Sequence, residues 1–324
     1  MVDPRPLIIV TRRIPEPVAA ALAESFEVRL NPDDGRFSAS ELRQALATAD
    51  GVLCTLFDPL GPDVLLPGPH RCRILANFGA GVDHIALDAA RSAGLVVTNT
   101  PDVLTDCTAD LTIALILMTL RRLGSGERRL RSGRWTGWGP TDQLGRRVTG
   151  RTLGIVGFGR IGQAVAQRAS RGFGMRVLAW SRTPPGKIAL QAAGAEPVES
   201  LDALLRDSEI VSLHLPGSPE TAGIMDADRL ARMRSGAVLI NTARGSLVDE
   251  TALLAALDSG HLGGAGLDVF INEPNVRPDL LVRNDVVVLP HLGSATTETR
   301  IEMGLRAVEN LRAWFRGETP RDRV

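Results

Sequence analysis

Short apolar runs alternate with alanine- and leucine-rich stretches along most of this chain, and that alternation limits its fold more than any other feature. The runs, such as Leu7–Val10 and Thr152–Val156, are apolar throughout. Such strands are typical of parallel sheets covered on both faces, and parallel neighbours need helical crossovers between them. The pattern therefore predicts an α/β fold built on parallel sheets.

The predicted strands form two series separated by a long helical stretch. Five strands come first, at residues 7–10, 26–30, 51–53, 73–76 and 95–97. A helix is then predicted over residues 103–123, ending at Gly124, followed by an irregular segment over 126–151. Six strands follow, at residues 152–156, 176–180, 210–213, 237–240, 265–269 and 286–289, and a second long helix over 296–315 ends at Gly317.

Composition favours a cytoplasmic protein with a small-molecule partner. The length of 324 residues favours two domains, and the 37 basic and 37 acidic residues cancel, which disfavours nucleic acid and anionic membranes as partners. Cys54, Cys72 and Cys107 are odd in number and lack metal-ligand spacing, so we expect reduced thiols and no metal. The start of the chain does not resemble a signal peptide, and the longest apolar run, residues 111–120, is too short to cross a bilayer.

A glycine turn predicts a dinucleotide site. The sequence Gly157-Phe158-Gly159-Arg160-Ile161-Gly162 directly follows one apolar strand and opens an alanine-rich helix. A tight turn, a close backbone approach and the amide-rich start of a helix are what a pyrophosphate requires. The alternative is a glycine turn that only packs a helix on a sheet. The strand-turn-helix context favours the cofactor.

The end of the next strand distinguishes the two nicotinamide cofactors. In NAD sites an acid there accepts a hydrogen bond from the 2′-hydroxyl of the adenosine ribose. Here Ser181, Arg182 and Thr183 follow the strand, so a hydroxyl and a guanidinium are present to bind a 2′-phosphate. The sequence predicts NADP(H) as the preferred cofactor, with NAD(H) possible. The alternative for Arg182 is an ordinary surface charge.

Three residues with complementary chemistry follow three of the later strands: Arg244, Glu273 and His291. Arginine can hold a carboxylate by two parallel hydrogen bonds, histidine can transfer a proton near neutral pH, and glutamate can orient that histidine. Open α/β sheets bind ligands at the carboxyl ends of their strands. Taken singly, each could be a surface charge, a loop acid or a structural histidine. Their common placement predicts a site that reduces a carbonyl.

Six segments resemble the D-isomer-specific 2-hydroxyacid dehydrogenase family over essentially the whole chain. They are residues 77–84, 108–111, 157–162, 241–245, 273–274 and 290–294. Within the family the pattern most resembles glyoxylate/hydroxypyruvate reductases, partly through residues 103–106 and 272–276.

This resemblance implies an α/β fold of two doubly wound parallel-sheet domains, Rossmann-like or flavodoxin-like. The cofactor domain would be inserted in the substrate domain, with the active site in the cleft between them. The substrate domain would comprise residues 1–100 plus 291–324, and the NAD(P)-binding Rossmann domain residues 101–290. It also implies a homodimer formed through the cofactor domain, with residues 126–151 as the arm. Trp138 in that arm either reaches the partner's substrate cleft or packs within the arm.

The resemblance also implies a role for each matching residue. The expected reaction is NAD(P)H-dependent reduction of a small 2-oxo acid, glyoxylate or hydroxypyruvate, to the D-2-hydroxy acid. Arg244 and the backbone amides of Gly79, Ala80 and Gly81 would bind the substrate; His291 would protonate its oxygen, and Glu273 would favour the imidazolium form. Besides the glycine turn and residues 181–183, the implied cofactor positions are Thr108, Leu215, Pro216, Thr242, Ala243, Asp268 and Gly293, with Asp268 behind the nicotinamide or the His291–Glu273 pair.

Two alternatives stay open. Within the fold, the chain could be a phosphoglycerate dehydrogenase or a dehydrogenase of larger aromatic 2-hydroxy acids, depending on a pocket that Leu53, Leu56, Phe57 and Phe78 would line. In another class, it could be a nucleotide-sensing, corepressor-like binding protein, which can keep the same three residues.

Overall fold

The computed structural model describes residues 5–324, and residues 1–4, part of the start that does not resemble a signal peptide, lie outside the described residues. The chain divides into two compact units. The first unit comprises residues 5–104 with Ser294–Val324, and the second unit comprises Thr105–Gly293. Each unit is a parallel sheet with helices, which confirms the predicted fold class.

The first unit contains a five-stranded parallel sheet in the order β2-β1-β3-β4-β5. All five predicted strands are present, the first with the predicted bounds and the other four with shifted ends. Its elements are the strands β1 (Leu7–Val10), β2 (Glu27–Arg29), β3 (Gly51–Cys54), β4 (Ile74–Asn77) and β5 (Val96–Thr98), and the helices α1 (Glu16–Ser25), α2 (Ala39–Thr48), α3 (Pro62–Leu65), α4 (Leu87–Ser92) and α13 (Thr297–Phe315).

Helices cover both faces of this sheet, which is why its inner strands β1, β3 and β4 are largely apolar, whereas the edge strand β2 is mostly exposed. The long helix α13 packs its Val308 and Leu311 with Leu22 of α1 on one face. This helix matches the predicted one and begins after Thr296, whose side chain accepts a hydrogen bond from the Thr299 amide at 3.2 Å.

Two residues predicted to line a substrate pocket belong instead to this core. Leu53 is completely buried and Phe78 nearly so, both within the apolar cluster that α13 covers. The prediction was wrong for them because Leu53, within β3, and Phe78, directly after β4, both pack against the helical layer. Leu56 and Phe57 remain half-buried in the loop after β3.

The second unit contains a seven-stranded parallel sheet in the order β12-β11-β10-β9-β6-β7-β8. Its strands are β6 (Thr152–Val156), β7 (Arg176–Trp180), β8 (Ala195–Pro197), β9 (Ile210–Leu213), β10 (Ala237–Asn241), β11 (Leu262–Leu267) and β12 (Val286–Val288). Its helices are α5 (Thr105–Leu120), α6 (Leu123–Arg131), α7 (Arg160–Phe173), α8 (Lys187–Ala193), α9 (Leu201–Asp207), α10 (Ala227–Arg232), α11 (Glu250–Asp258) and α12 (Pro278–Leu281), with a 3-10 turn at Gly245–Leu247.

One strand of this sheet was missed by the sequence analysis. The edge strand β8 is three residues long and largely exposed, so it carries no apolar run that a pattern could show. The strand predicted at 265–269 in fact spans Leu262–Leu267: Gly263 and Gly264 interrupt the apolar pattern, and the register with β10 shifts by one residue at Gly263.

The helix predicted over residues 103–123 is two helices. Helix α5 ends at Leu120, and Arg122 takes a left-handed conformation with φ 56° before α6 begins at Leu123. The Leu120 carbonyl accepts from the Arg146 amide at 2.7 Å, so the returning chain takes the acceptor that a longer helix would have used. The segment predicted to be irregular from 126 is therefore helical as far as Arg131.

Helix α5 lies in the core of the second unit. Leu115 and Ile116 pack against the sheet residues Ile155 and Val238, as the buried-helix prediction required. Among the described residues, none of the helices combines the length and the apolar character needed to cross a membrane.

Candidate active site

The residues predicted to be catalytic follow three adjacent strands and lie at one edge of the second sheet. Strands β10, β11 and β12 pair in parallel, so their carboxyl ends lie side by side. Arg244 follows β10, Asp268 directly follows β11, and His291 follows β12. Glu273 lies in the loop after β11. This is the edge at which open parallel sheets bind ligands.

His291 and Glu273 form a hydrogen-bonded pair. The ring Nδ1 lies 2.8 Å from Glu273 Oε2, and Oε1 of the same carboxylate accepts from the Phe270 amide at 2.9 Å. The two side chains are only 21% and 16% exposed. Burial opposes ionisation of Glu273, but the bond and charge of His291, the Phe270 amide and the charge of Arg244 together hold the pKa of Glu273 below its ordinary value.

This pairing fixes which ring nitrogen can act on a ligand. Because Nδ1 is committed to an anionic Glu273, Nε2 is the nitrogen of His291 that can exchange a proton with a bound molecule. The arrangement is that of an oriented general acid or base.

Asp268 holds the backbone that carries the histidine. Its carbonyl accepts from the His291 amide at 2.9 Å, and its carboxylate accepts from the amides of Leu292 at 2.6 Å and Gly293 at 2.8 Å. These bonds support His291 in a left-handed conformation with φ 54°. Burial raises the pKa of the Asp268 carboxyl to about 6, although those amides and the charge of His291 oppose the rise.

The second boundary between the two units lies three residues later than predicted. The sequence analysis assigned residues 291–324 to the substrate domain, whereas the second unit extends to Gly293 and the first unit resumes at Ser294. Residues 101–104, expected in the inserted domain, belong to the first unit. Hydrogen bonds to Asp268, which directly follows β11, hold His291 in the second unit. The sequence alone does not predict contacts between residues so far apart in the chain.

Asn241 shapes the loop that carries Arg244. Its side chain donates to the Arg244 carbonyl at 2.7 Å and accepts from the Ala243 amide at 3.0 Å. The Arg244 guanidinium in turn donates from Nη1 to the Ala243 carbonyl at 2.7 Å and is half-buried. Sequence reasoning gave Asn241 no role; the available signal was a polar residue ending an otherwise apolar strand.

Gly245 brings this loop against the loop that carries Glu273. A Cβ placed on Gly245 would lie 2.0 Å from the carbonyl carbon of Phe270 and 2.5 Å from the Ile271 amide nitrogen. No larger residue fits without moving backbone, so glycine at this position is what allows Arg244 to lie near Glu273.

Three of the predicted cofactor positions are joined by buried hydroxyls. Thr108 Oγ1 donates to the Gly293 carbonyl at 2.9 Å, and Thr112 Oγ1 donates to the Thr108 carbonyl at 2.8 Å. Thr112 and Thr242 share a hydroxyl hydrogen bond of 2.9 Å. This chain ties the start of α5 to the strand ends of β10 and β12, and Thr112 is a member that sequence reasoning missed.

The glycine turn passes close to the end of β9. Gly157 has φ 97°, and a Cβ there would lie 2.5 Å from the His214 carbonyl oxygen and 2.9 Å from the Leu215 side chain. A Cβ on Gly162 would lie 2.2 Å from the Gly157 carbonyl oxygen. A Cβ on Gly159, by contrast, would meet no atom within 4 Å. The turn is therefore closed against the sheet and open above Gly159.

This geometry fits a dinucleotide. Helix α7 begins at Arg160 with Gly159 as its cap, and the amides of a helix's first turn point out of its N-terminus. The amides of Arg160 and Ile161 would hold a pyrophosphate in the space above Gly159. Pro216, in the loop after β9, accepts from the Thr221 hydroxyl at 2.8 Å through its carbonyl.

The residues after β7 form a compact turn with an exposed arginine. Ser181 Oγ donates to the Thr183 carbonyl at 2.7 Å, and the side chain of Arg182 is exposed. An acid approaches from another loop: the pKa of Glu220 is lowered by hydrogen bonds from Ser218 and its own amide and by the charge of Arg182. The sequence analysis did not anticipate this acid, because it considered only residues that follow β7.

His214 is not a competing acid. Its Nε2 shares a hydrogen bond of 2.9 Å with Ser212 Oγ, and burial lowers its pKa to about 3. A histidine that stays neutral at physiological pH does not donate a proton readily. The structure thus leaves His291 as the better candidate of the two.

In the first unit, side chains hold the three carbonyls of the loop after β4. Asn77 Nδ2 donates to the Gly79 carbonyl at 3.0 Å and to the Gly81 carbonyl at 2.8 Å, and Asn99 Nδ2 donates to the Ala80 carbonyl at 2.7 Å. We refer to residues 79–81 as the amide loop.

These bonds also aim the amides of the loop. In a trans peptide the C=O and the following N–H point in opposite directions, so fixing the Gly79 and Ala80 carbonyls turns the Ala80 and Gly81 amides to the other side. The Gly79 amide donates to the Asn77 carbonyl at 2.9 Å. Among the described residues, the Ala80 and Gly81 amides have no protein acceptor, so two of the three predicted amides remain for a carboxylate.

Comparison with known proteins identifies the family. Residues 113–293 match the D-isomer specific 2-hydroxyacid dehydrogenase family, NAD binding domain. The chain is 43% identical over 320 residues to glyoxylate reductase from Thermococcus kodakarensis, covering 98% of this chain and 95% of that protein. The chain belongs to the D-isomer specific 2-hydroxyacid dehydrogenase family. The predicted resemblance is confirmed, and the matched residues of this dehydrogenase all lie within the second unit.

Two crystal structures extend the comparison. A Polaromonas protein assigned to the same dehydrogenase family superposes with a TM-score of 0.91 at 38% identity, covering 99% of this chain and 100% of that one. The NADPH-dependent glyoxylate/hydroxypyruvate reductase from Sinorhizobium meliloti, solved with NADP and malonate, has a TM-score of 0.87 at 38% identity and covers 99% of this chain and 97% of that one.

Proposed function

We propose that this dehydrogenase reduces a small 2-oxo acid, glyoxylate to glycolate or hydroxypyruvate to D-glycerate, with NADPH preferred over NADH. The observation that carries the proposal is the His291 Nδ1 to Glu273 Oε2 bond of 2.8 Å on the same sheet edge as Arg244. The similarity to glyoxylate reductases supports the substrate class.

Substrate binding is assigned to the cationic and amide groups described above. Arg244 would hold the substrate carboxylate and its carbonyl oxygen, with the guanidinium able to donate to two oxygens at once. In the first unit, the amides of Ala80 and Gly81 would donate to a substrate carboxylate. When bound, the reduced nicotinamide supplies the hydride that C2 accepts.

The proton comes from His291. As C2 gains a hydride, its oxygen gains negative charge, and the imidazolium Nε2–H would protonate it. Glu273 stays ionised and stabilises that imidazolium through Nδ1. In the oxidative direction the neutral imidazole would remove the hydroxyl proton, so one residue serves both directions.

Glu273→Gln should move the pH dependence of both directions toward acid by about one pH unit. The pKa of Glu273 lies below its ordinary value, so the wild type carries a negative charge there throughout the neutral range. Without that charge the imidazolium form of His291 loses a stabilising partner. Reduction should therefore fail at lower pH than in the wild type, and oxidation should begin at lower pH.

The measurement is kcat/KM against pH for glyoxylate reduction and glycolate oxidation in both proteins. Glu298→Gln, an exposed acid in the first turn of α13, is the control and should leave both profiles unchanged. Limbs that move in opposite directions, or do not move, would contradict a shared acid and base.

Cofactor binding is assigned to the second unit. The amides of Arg160 and Ile161 would bind the pyrophosphate. Leu215 and Pro216 would border the adenosine. The nicotinamide would lie beside the linked hydroxyls of Thr108 and Thr242, with Ala243 and Gly293. Ser181, Arg182 and Thr183 would receive the 2′-phosphate.

Arg182→Ala should raise KM for NADPH roughly tenfold and change KM for NADH by less than about twofold, because only NADPH offers a phosphate to that guanidinium. Glu220→Gln is the matched control: removing the acid beside Arg182 should lower KM for NADPH slightly and leave NADH unaffected. Steady-state KM values for both cofactors check this. Equal effects of Arg182→Ala on the two cofactors would reject Arg182 as the 2′-phosphate ligand.

A homodimer is part of the proposal. The segment predicted to be the dimer arm exposes four large apolar side chains, those of Leu130, Trp135, Trp138 and Leu144. Large apolar groups clustered at a surface are typical of protein interfaces. A second copy of this chain would cover them.

A substrate panel tests the proposed function. We expect the highest kcat/KM for glyoxylate or hydroxypyruvate with NADPH, measured on protein whose mass in solution is determined in parallel. Higher values for phenylpyruvate, or for oxidation of 3-phosphoglycerate, would favour the alternatives within the fold. Dinucleotide binding without turnover of any oxo acid would favour the nucleotide-sensing role, and a monomeric mass would contradict the dimer.

A further inference from the structure

The last residues of the chain extend the first sheet. Arg323 forms an antiparallel bridge with Thr98 of the edge strand β5, and the Val324 amide donates to the Val97 carbonyl at 3.0 Å. The Asp322 carbonyl accepts from the Asn99 amide at 3.1 Å. Residues 322–324 thus lie along the edge of the parallel sheet and reach the position where β5 ends.

Asp322 anchors this segment to helix α13. Its carboxylate is almost completely buried, with 4% of the side chain exposed, and accepts two hydrogen bonds from the Arg306 guanidinium at 2.5 and 3.0 Å. It also accepts from Asn310 Nδ2 at 3.1 Å. Burying a carboxylate costs desolvation free energy, which the two hydrogen bonds from Arg306 and the one from Asn310 offset. We therefore asked which part of the backbone this arrangement holds in place.

What it fixes is Asn99. The Asn99 amide is bound by the Asp322 carbonyl, and the Asn99 carbonyl accepts from Asn310 Nδ2 at 3.3 Å. With both backbone groups held, the Asn99 side chain is directed to the Ala80 carbonyl at 2.7 Å. The neighbouring Thr100 amide donates to the Gly79 carbonyl at 2.9 Å.

We propose that Asp322 and Asn99 are positioning residues for oxo-acid binding: Asp322 fixes Asn99, and Asn99 aims the Gly81 amide at the substrate carboxylate. The inference rests on the proposed function, since it takes the amide loop as a carboxylate site. The Ala80 carbonyl and the Gly81 amide belong to one planar peptide, so a hydrogen bond on the first sets the direction of the second.

The consequence is selective. Loss of the Asn99 side chain frees the peptide between Ala80 and Gly81 to rotate, and the carboxylate loses a correctly directed donor. His291, Glu273 and the dinucleotide turn keep their own hydrogen bonds, all of which lie in the second unit. A weakened carboxylate site should therefore appear in KM for the oxo acid and not in cofactor binding.

The test compares Asn99→Ala, Asp322→Asn and the double variant with the wild type. Asn99→Ala should raise KM for glyoxylate roughly tenfold, the effect of one charge-assisted hydrogen bond, with the Kd for NADPH changed less than about twofold. Asp322→Asn should raise it less, and the double variant should be no worse than Asn99→Ala because both act on one path. Arg316→Ala, which breaks an exposed ion pair with Glu318 at the end of α13, is the control.

Glyoxal distinguishes positioning from general damage, because it offers a carbonyl without a carboxylate. The variants should lose kcat/KM for glyoxylate but keep that for glyoxal within about twofold of the wild type. Equal losses with both compounds, additive losses in the double variant, or variants that match Arg316→Ala would overturn the inference. If Asp322→Asn does not fold, Asn99→Ala still decides, since it leaves the Asp322–Arg306 pair intact. A wild type that reduces no 2-oxo acid would instead refute the proposed function.

Discussion

Replacing His291 with alanine should lower kcat for oxo-acid reduction by on the order of 10²- to 10⁴-fold, the contribution of a positioned general acid. The Kd for NADPH should stay within about twofold of the wild type, because no assigned cofactor contact uses the imidazole. Glu273 binds the Nδ1 side of the ring, and Nε2 would deliver the proton. Water in bulk cannot replace a donor held at that position.

Steady-state kinetics and a cofactor-binding titration measure the two quantities. His261→Ala is the control, because His261 precedes β11 and therefore lies at the opposite, amino edge of the same sheet. It should leave kcat unchanged. A His291→Ala enzyme with near-normal turnover would show that another group supplies the proton.

Arg244→Lys should lower kcat/KM for glyoxylate about 100-fold, although the charge is kept. A guanidinium donates to two oxygens in a fixed geometry, whereas an ammonium is a single point charge. Losing one charge-assisted hydrogen bond of about 1.5–3 kcal/mol lowers kcat/KM roughly 10- to 100-fold. Because the lysine ammonium also cannot match the planar carboxylate, we expect the upper end of that range. The loss should be larger for glyoxylate than for glyoxal.

The matched control is Arg176→Lys, since Arg176 makes a two-pronged bond to Glu196 on the exposed surface. That exchange should leave kcat/KM within about twofold, as surface ion pairs contribute little. If Arg244→Lys behaved like this control, Arg244 would be a structural arginine and the carboxylate would be bound elsewhere.

Much of this fold is local in origin, and that part was predictable. Apolar runs such as Ile210–Leu213 become buried strands because helices cover both faces of the sheet, and a run of that kind is visible in any sequence. The placement of Arg244 and His291 after such runs follows from the same pattern. The break at Arg122 does not, because the Leu120 carbonyl is taken by a residue far along the chain.

The supporting hydrogen bonds of the site were not predictable for the same reason. Asp268 holds the His291 segment and Asp322 holds Asn99 across long stretches of sequence, and no spacing rule pairs such residues. The Gly79 amide was expected to bind substrate, but a local bond to Asn77 claims it. Residue types indicated the chemistry, whereas the tertiary contacts decide which atoms can perform it.

The tight backbone contact at Gly245 means that no other residue fits there, although glycine has no side chain that could take part in the reaction. Even alanine there would push against the Phe270 backbone, at 2.0 Å from its carbonyl carbon, and the displacement would carry Glu273 away from Arg244. A library that randomises position 245 should therefore return glycine almost alone. The spacing between Glu273 and Arg244 therefore depends on the absence of a Cβ at position 245.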